Sequence, residues 1–185
     1  MGDSHVHWAG IGKHQLQGGG EVRWFGLRGA GLGDIMKLVN SKLSKHSHPS
    51  TIILHIGTND IFHLNTYNLR RQVFALLQGL RAILPSTRLI WSDVFARLFY
   101  YGEHRPGGGR RITNFINAQA HKFVKQMDNA GFICHTEVLP PTRQSLYRHD
   151  GMHLSPSGLI IFRMNLSEAL VFFNSHAGAA FPPPS

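Results

Sequence analysis

Apolar segments typical of β-strands alternate with amphipathic helical patterns along most of the chain, and this alternation restricts the fold more than any other feature. Thr51–Ile56 is a continuous apolar run, which predicts a strand that is buried on both faces. Leu69–Leu84 carries apolar residues at helical spacing and is followed by Pro85, which predicts a helix that ends there. Strands that alternate with helices predict an α/β domain with a mainly parallel sheet. The other predicted strands are Glu21–Leu27, Arg88–Phe95 and Phe132–Val138, and the other predicted helices are Leu32 to about Ser44, Ile112–Met127 and Ser155–Asn174.

The length and the apolar content fit one domain with a substantial core. The chain has 185 residues, of which 42% are hydrophobic, and this excludes a mostly disordered chain. Residues 1–176 are predicted to form the domain. Residues 177–185 are rich in glycine, alanine and proline and are predicted to be a disordered tail.

The charge and the cysteine content bear on partners and on the cellular compartment. The net charge of +9 favours a weak association with nucleic acids or anionic membranes through a basic surface. The single cysteine, Cys134, excludes an internal disulfide, and its apolar flanks predict a buried, inert thiol. The sequence has neither a signal-peptide pattern nor an apolar run of the about 20 residues that span a bilayer. We therefore expect a cytoplasmic protein with no transmembrane segment.

Four polar motifs lie at the start of the chain, after predicted strands or just before the last helix. Each motif alone is typical of a turn or a helix cap. Because ligands of open α/β sheets bind beyond the carboxyl ends of the strands, we expect the motifs to contribute to one site. The motifs are Gly2-Asp3-Ser4, Arg28-Gly29-Ala30-Gly31, Gly57-Thr58-Asn59-Asp60 and Asp150-Gly151-Met152-His153.

Together the motifs contain the groups of a serine hydrolase. A serine becomes a nucleophile when a histidine takes its proton, and a carboxylate holds that histidine in the required tautomer. Asp150 and His153 are three residues apart, so one turn can present both side chains to one site. The Ser4 N–H, the N–H of a loop glycine and the Asn59 amide are candidate donors to a developing oxyanion.

In these motifs the chain resembles the SGNH hydrolase superfamily, the GDSL-type esterases and lipases. The motifs occur in the family's order and extend over most of the chain. The resemblance implies Ser4 as the nucleophile, His153 as the general base and Asp150 as the residue that orients it. It also implies a flavodoxin-like three-layer α/β/α sandwich that cleaves carboxylic esters of a small acyl or lipid substrate, with no metal and no other cofactor.

The resemblance also implies an oxyanion hole made by Asn59 and a glycine. Gly29 fits best when the register of the following helix is used to place the motif, and Gly31 is the second candidate. Asp60 is expected to hold its loop rather than to take part in the chemistry.

The sequence departs from the family before the nucleophile. The chain begins at Met1-Gly2-Asp3-Ser4, whereas about five residues of the central first strand are expected there. Either the sequence is a fragment or has a mispredicted start, or the protein lacks this strand. We therefore expect an SGNH fold with a truncated first strand. Neighbouring strands would then lose ladder partners, and Ser4 would lie on a mobile terminus with reduced activity.

An alternative function follows from a narrower and looser resemblance. Val22–Gly29 and His5–Trp8 are similar to segments of SGNH-like domains in vertebrate retroelement-derived proteins, including esterase domains in the first reading frame of some LINE elements. This resemblance and the positive charge favour a catalytically weak domain that binds nucleic acid or protein.

Two further sites are weaker hypotheses. The basic residues of the segment 105–111, with Arg70 and Arg71, are candidates for binding phosphate, but a flexible loop and solvated helix faces are the favoured interpretation. A metal site at His5 and His7 is disfavoured, because the carboxylate-rich ligand set of a metallophosphoesterase is missing.

Overall fold

A parallel sheet with helices on both faces forms the fold. The computed structural model describes residues 1–18, 20–61, 63–100, 107–136, 144–176 and 179–183. The four strands pair in the order β1-β2-β3-β4, and every pair is parallel. The predicted fold class is confirmed. The strands are β1 (Thr51–Leu54), β2 (Arg88–Ser92), β3 (Ala130–Ile133) and β4 (Ala180–Phe181), and the helices are α1 (Ser4–Ala9), α2 (Ile35–Leu43), α3 (Thr66–Ile83), α4 (Gly108–Val124) and α5 (Pro156–Ser175).

Neighbouring residues of the central strands point into two different cores. On β2, Leu89 and Trp91 pack in the core beneath α2, α3 and α4, whereas Ile90 packs in the core beneath α1 and α5. This alternation follows from the pleat of a strand. On α3 the buried residues, such as Leu69, Val73 and Leu80, recur at helical spacing and so form one apolar face. The result is the three-layer α/β/α arrangement that the resemblance to SGNH hydrolases implies.

The last helix, α5, begins as predicted, but it is more apolar than expected. The Ser155 Oγ accepts a hydrogen bond from the Gly158 N–H at 3.2 Å, and Pro156 stands at the first helical position. The helix has 20 residues, and an 18-residue stretch of it has a mean hydropathy of 1.2, so by length and composition alone it could cross a membrane. In this structure Phe162 and Leu166 of this helix are buried in the core of the domain.

Part of the predicted disordered tail forms the fourth strand. The Ala179 carbonyl accepts from the Phe132 N–H at 2.8 Å, and the Phe181 carbonyl accepts from the Cys134 N–H at 2.7 Å. The Phe181 ring also lies 5.6 Å from the ring of Phe172 on α5. An aromatic residue in the tail thus finds both a ladder partner and a packing partner. The prediction of disorder therefore does not hold at β4.

Some predicted features lie outside the described residues. They are the end of the fourth predicted strand at residues 137–138, residues 105–106 of the basic segment 105–111, and residues 177–178 and 184–185 of the tail.

The segment Glu21–Leu27 does not form the predicted strand. Within it only Gly26 takes part in a β-bridge, and its partner is Gly2. Gly2 also bridges His55, so the start of the chain lies between Gly26 and His55. A strand needs a partner along its length, and among the described residues this segment has one at Gly2 alone.

Beyond Gly2 the sheet is open. The Met1 amino group donates to the Ile53 carbonyl at 2.6 Å, and the Met1 carbonyl accepts from the His55 N–H at 3.0 Å. Next to Met1, a cavity of about 510 Å³ separates residues 22–25 from β1.

Candidate active site

Asp150 and His153 form a hydrogen-bonded pair in the turn before α5. The Asp150 Oδ2 lies 2.7 Å from the His153 Nδ1, and Oδ1 accepts from the N–H groups of Met152 and His153 at 2.8 and 2.9 Å. Gly151 has a φ of 61°, which lets the turn close tightly. Partial burial raises the pKa of Asp150, but the hydrogen bonds from His153 and Met152 lower it more, to about 2. Asp150 is therefore an ionised acceptor that fixes the His153 ring.

Ser4 is the first residue of α1, and its turn packs on the turn of His153. The His5 ring lies 6.0 Å from the His153 ring, and the His5 Nε2 lies 3.1 Å from the Met152 carbonyl oxygen. Ser4 is 7% exposed. The Ser4 Oγ makes no hydrogen bond with any described residue, so a Ser4–His153 bond is not formed in this structure.

Asp3 is a buried carboxylate beside Ser4, to which the sequence analysis gives no separate role. Its Oδ1 accepts from the His5 N–H at 2.9 Å and caps α1, and its Oδ2 accepts from the Thr58 hydroxyl at 2.7 Å. Burial raises the pKa of Asp3, but His5, His55 and the hydrogen bond from Thr58 lower it to well below its usual range. Asp3 therefore ties the Ser4 turn to the loop that carries Asn59. The signal for this role is its position between Gly2 and Ser4 in the first motif.

Asn59 and Gly29 have hydrogen-bond donors that remain available. The Asn59 Nδ2 donates to the Ala30 carbonyl at 2.9 Å, which uses one of its two hydrogens. The Gly29 N–H donates to no described acceptor, and Gly29 lines the same cavity as Asn59. The Gly31 N–H, in contrast, donates to the Asp34 carboxylate at 2.9 Å. Of the two candidate glycines, Gly29 thus has the available N–H.

Asp60 has the loop-holding position that the sequence predicts. Its Oδ2 accepts from the Leu32 N–H at 3.0 Å. Burial raises the pKa of Asp60, and the hydrogen bond from Leu32 lowers it in part. This contact joins the loops that carry Gly29 and Asn59.

A polar cavity of about 440 Å³ opens beside these donors. Arg97 lines it and is the residue that the sequence analysis missed. The Arg97 Nη2 lies 3.3 Å from the Asn59 Oδ1, and Nη1 lies 3.6 Å from the Met152 Sδ. Arg97 follows the carboxyl end of β2, and ligands of open α/β sheets bind beyond such strand ends. Its position in the sequence is therefore the signal that could have identified it. The lining consists of Gly29, Thr58, Asn59, Ile61, His63, Arg97, Tyr100 and Met152.

No protein-family model matches the sequence, and no curated protein matches it. Solved structures match the fold. A protein from Streptococcus pneumonia described as a platelet activating factor has a TM-score of 0.73 and 19% identity, over 91% of this chain and 81% of its own. A GDSL-like lipase from Bacteroides thetaiotaomicron has a TM-score of 0.68 and 16% identity, over 92% and 85%. A family 3 carbohydrate esterase from Talaromyces cellulolyticus has a TM-score of 0.63 and 14% identity, over 92% and 94%.

The chain has the SGNH hydrolase fold. In this SGNH fold, the four sequence motifs meet at the carboxyl edge of the sheet, next to the cavity that Arg97 lines. The narrower resemblance to retroelement-derived domains stays a prediction.

Two clusters in the described part of this SGNH domain could hold a cation, but both are already hydrogen-bonded. In the first cluster, which consists of Asp3, His5 and His55, Asp3 accepts hydrogen bonds from His5 and Thr58. In the second cluster, which consists of Asp93, His121 and Cys134, the His121 Nε2 lies 2.6 Å from the Asp93 Oδ1. Burial, together with Asp93, raises the pKa of the Cys134 thiol to about 12. His7, one half of the disfavoured metal pair, belongs to neither cluster.

Proposed function

We propose that the chain is a serine hydrolase that cleaves carboxylic esters, with Ser4 as its nucleophile. The observation that carries this proposal is the Asp150–His153 pair, joined at 2.7 Å in a turn that packs on the Ser4 turn. Proteins with this fold include ones described as a lipase, an esterase and a lipase/acylhydrolase, which supports ester cleavage as the reaction class. Hydrogen bonds between catalytic groups often tighten only when substrate binds, so the separate Ser4 and His153 side chains agree with this role.

The orientation of His153 determines which atom takes and returns the proton. Because the His153 Nδ1–H donates to Asp150, Nε2 is the atom that takes the Ser4 hydroxyl proton. The Ser4 Oγ then attacks the ester carbonyl carbon and forms a tetrahedral oxyanion. His153 gives the proton to the leaving alcohol as the carbon–oxygen bond breaks, which leaves an acyl-serine. Water, deprotonated by the same Nε2, attacks the acyl carbon, and the acid leaves as Ser4 regains its proton.

Three donors are proposed to stabilise the oxyanion. They are the Ser4 N–H, the Gly29 N–H and the second hydrogen of the Asn59 amide. The Ser4 N–H has no acceptor within its helix because Ser4 is the first helical residue. The donors are held in place before the reaction by the contacts of Asp3, Asp60 and Ala30, and such preorganised donors are where most electrostatic catalysis arises.

The test is hydrolysis of 4-nitrophenyl acetate by the wild-type chain and two serine variants. Ser4→Ala is expected to lower kcat by more than about 10³-fold, because the nucleophile is lost. Ser41→Ala is the matched control, since Ser41 is exposed on α2 and is expected to leave kcat unchanged. Circular dichroism verifies that all three chains fold. Equal rates for Ser4→Ala and the wild type would overturn the proposal.

A catalytically weak domain that binds nucleic acid or protein is the second candidate function. The absent Ser4–His153 hydrogen bond and the net charge of +9 are the observations that favour it. A folded chain without Ser4-dependent hydrolysis, together with RNA binding that weakens as salt rises, would favour this function over the first.

A further inference from the structure

Arg97 places an unneutralised positive charge between the proposed catalytic groups. One end of its guanidinium contacts Asn59, a proposed oxyanion donor, and the other contacts Met152, the neighbour of His153. Asn59 and Met152 lie on loops that are far apart in sequence, and both line the cavity of about 440 Å³. Arg97 therefore joins the Asn59 loop to the Met152 turn at the cavity beside the proposed oxyanion donors.

The hydrogen-bonding capacity of Arg97 is mostly unused. A guanidinium has five N–H donors. Among the described residues, its acceptors are the Asn59 oxygen and the weakly accepting Met152 sulfur, and the buried Nε has no partner. No described carboxylate lies within 4.0 Å of the guanidinium. An arginine that is placed only for structure normally has its donors satisfied when it is buried.

The cavity suits an oxygen anion rather than an apolar group. Arginine keeps its charge at any physiological pH, and its planar donors match a carboxylate or a phosphate. Burial lowers the pKa of Arg97, while the more distant Asp3 and Asp150 raise it. Those carboxylates are already bonded, to Thr58 and His5 and to His153, so they do not occupy the guanidinium.

We propose that Arg97 is the specificity-determining residue of the ester hydrolase, and that it selects esters that carry a carboxylate or phosphate group close to the scissile bond. This inference rests on the proposed function and names its substrate class. The anionic group of the substrate would take the free N–H groups of Arg97 while Ser4 attacks the ester carbonyl. Selection then comes from this half-buried cation, since a neutral ester would leave the N–H groups of Arg97 unpaired.

The first experiment compares esters that are matched except for charge. On the acyl side, the pair is mono-4-nitrophenyl adipate and 4-nitrophenyl hexanoate. On the alcohol side, the pair is 4-acetoxybenzoate and 4-acetoxybenzamide. For at least one pair we expect the wild-type chain to favour the anionic ester in kcat/KM, and we expect Arg97→Gln to reduce this preference by about 10- to 100-fold. Arg97→Lys should keep part of the preference, and Lys122→Gln, which removes an exposed charge on α4, should keep all of it.

The outcomes separate this proposal from its alternatives. If neither pair shows an anionic preference, or if Arg97→Gln leaves the preference intact, the proposal is wrong. If Arg97→Gln lowers kcat for the anionic and the neutral ester equally, Arg97 acts through Asn59 on the oxyanion and does not select charge, which also overturns it.

A binding measurement keeps the proposal testable if no ester is hydrolysed. Monomethyl adipate and dimethyl adipate are titrated into Ser4→Ala, with and without Arg97→Gln, and followed by nuclear magnetic resonance. Tighter binding of the monoanion that disappears with Arg97→Gln would support the anion site even where the proposed function fails. Equal binding of both compounds would overturn the site whatever the hydrolysis assay shows.

Discussion

The buried amino group of Met1 makes the stability of this chain depend on pH in a way that can be calculated. The group donates to the Ile53 carbonyl. Burial lowers its pKa from 8.0 to about 5, and the nearby Asp3 offsets only part of this effect. Each pKa unit corresponds to about 1.4 kcal/mol, so the penalty on the native state grows to about 4 kcal/mol as the pH falls to about 5.

The direction of the pH effect follows from the two protonation states. Above pH 8 the amine is neutral in both the folded and the unfolded chain, and it has no effect on stability. Between pH 8 and about pH 5 the unfolded chain binds a proton that the native chain excludes, so the free energy of unfolding falls as the pH falls. Below about pH 5 both states are protonated, and this group causes no further loss. Since domains of this size are stable by only about 5–15 kcal/mol, the effect is large.

The perturbation is acetylation of the Met1 amino group. An acetylated amine cannot be protonated but keeps an N–H for Ile53, and the cavity of about 510 Å³ beside Met1 has room for the acetyl group. Urea unfolding of both chains is followed through tryptophan fluorescence, to which the fully buried Trp91 contributes. Mass spectrometry verifies that Met1 is retained.

The difference between the two chains isolates the amine from other titrating groups, because His55 and Asp3 are present in both. The acetylated chain is expected to gain about 4 kcal/mol relative to the free chain as the pH is lowered from 8.5 to 5. Parallel stability curves across this range would refute the reasoning, since they would mean that the amino group is solvated in the native state.

Two substitutions test the proposed catalytic groups, and a third tests the strained turn at Gly29. Asp150→Asn removes the charge that orients His153 and is expected to lower kcat for 4-nitrophenyl acetate by about 10⁴-fold; an unchanged kcat would contradict the triad. Asn59→Ala removes one oxyanion donor, and we expect kcat to fall by about 10²–10³-fold with KM nearly constant, whereas an effect confined to KM would point to substrate binding alone. Gly29→Ala places a Cβ at a φ of 77° and is expected to destabilise the fold by about 1–2 kcal/mol in urea unfolding. The control, Gly33→Ala, has open space and no positive φ, so equal losses for both would argue against the strained turn.

The helices and central strands are predictable from the sequence because their signals are local. The apolar period of Leu69–Leu84 predicts the helix observed at Thr66–Ile83, and the run Thr51–Ile56 predicts the strand at Thr51–Leu54. The segment Glu21–Leu27 has the residues of a strand but not the structure, because pairing depends on a neighbour that composition does not reveal. The opposite case is Phe181, which lies in a tail whose composition predicts disorder but which pairs with Ile133 in the sheet.

The motifs of the site can be predicted from the sequence, but the contacts between residues of different motifs cannot. Asp150 and His153 are neighbours in sequence, so their contact follows from spacing. The contact of Arg97 with Asn59 spans 38 residues and that of Asp3 with Thr58 spans 55, and only the folded sheet brings these together. The cytoplasmic location and the association with nucleic acid stay predictions.

Labelling with a fluorescent fluorophosphonate tests the central claim most directly, because this reagent reacts with an activated serine and does not require the natural substrate. The folded 185-residue chain is incubated beside Ser4→Ala, and the modified residue is identified by mass spectrometry. The account predicts one adduct, on Ser4, that is absent from the variant. A folded chain that stays unlabelled, or that is labelled equally in Ser4→Ala, would contradict the assignment of Ser4 as the nucleophile.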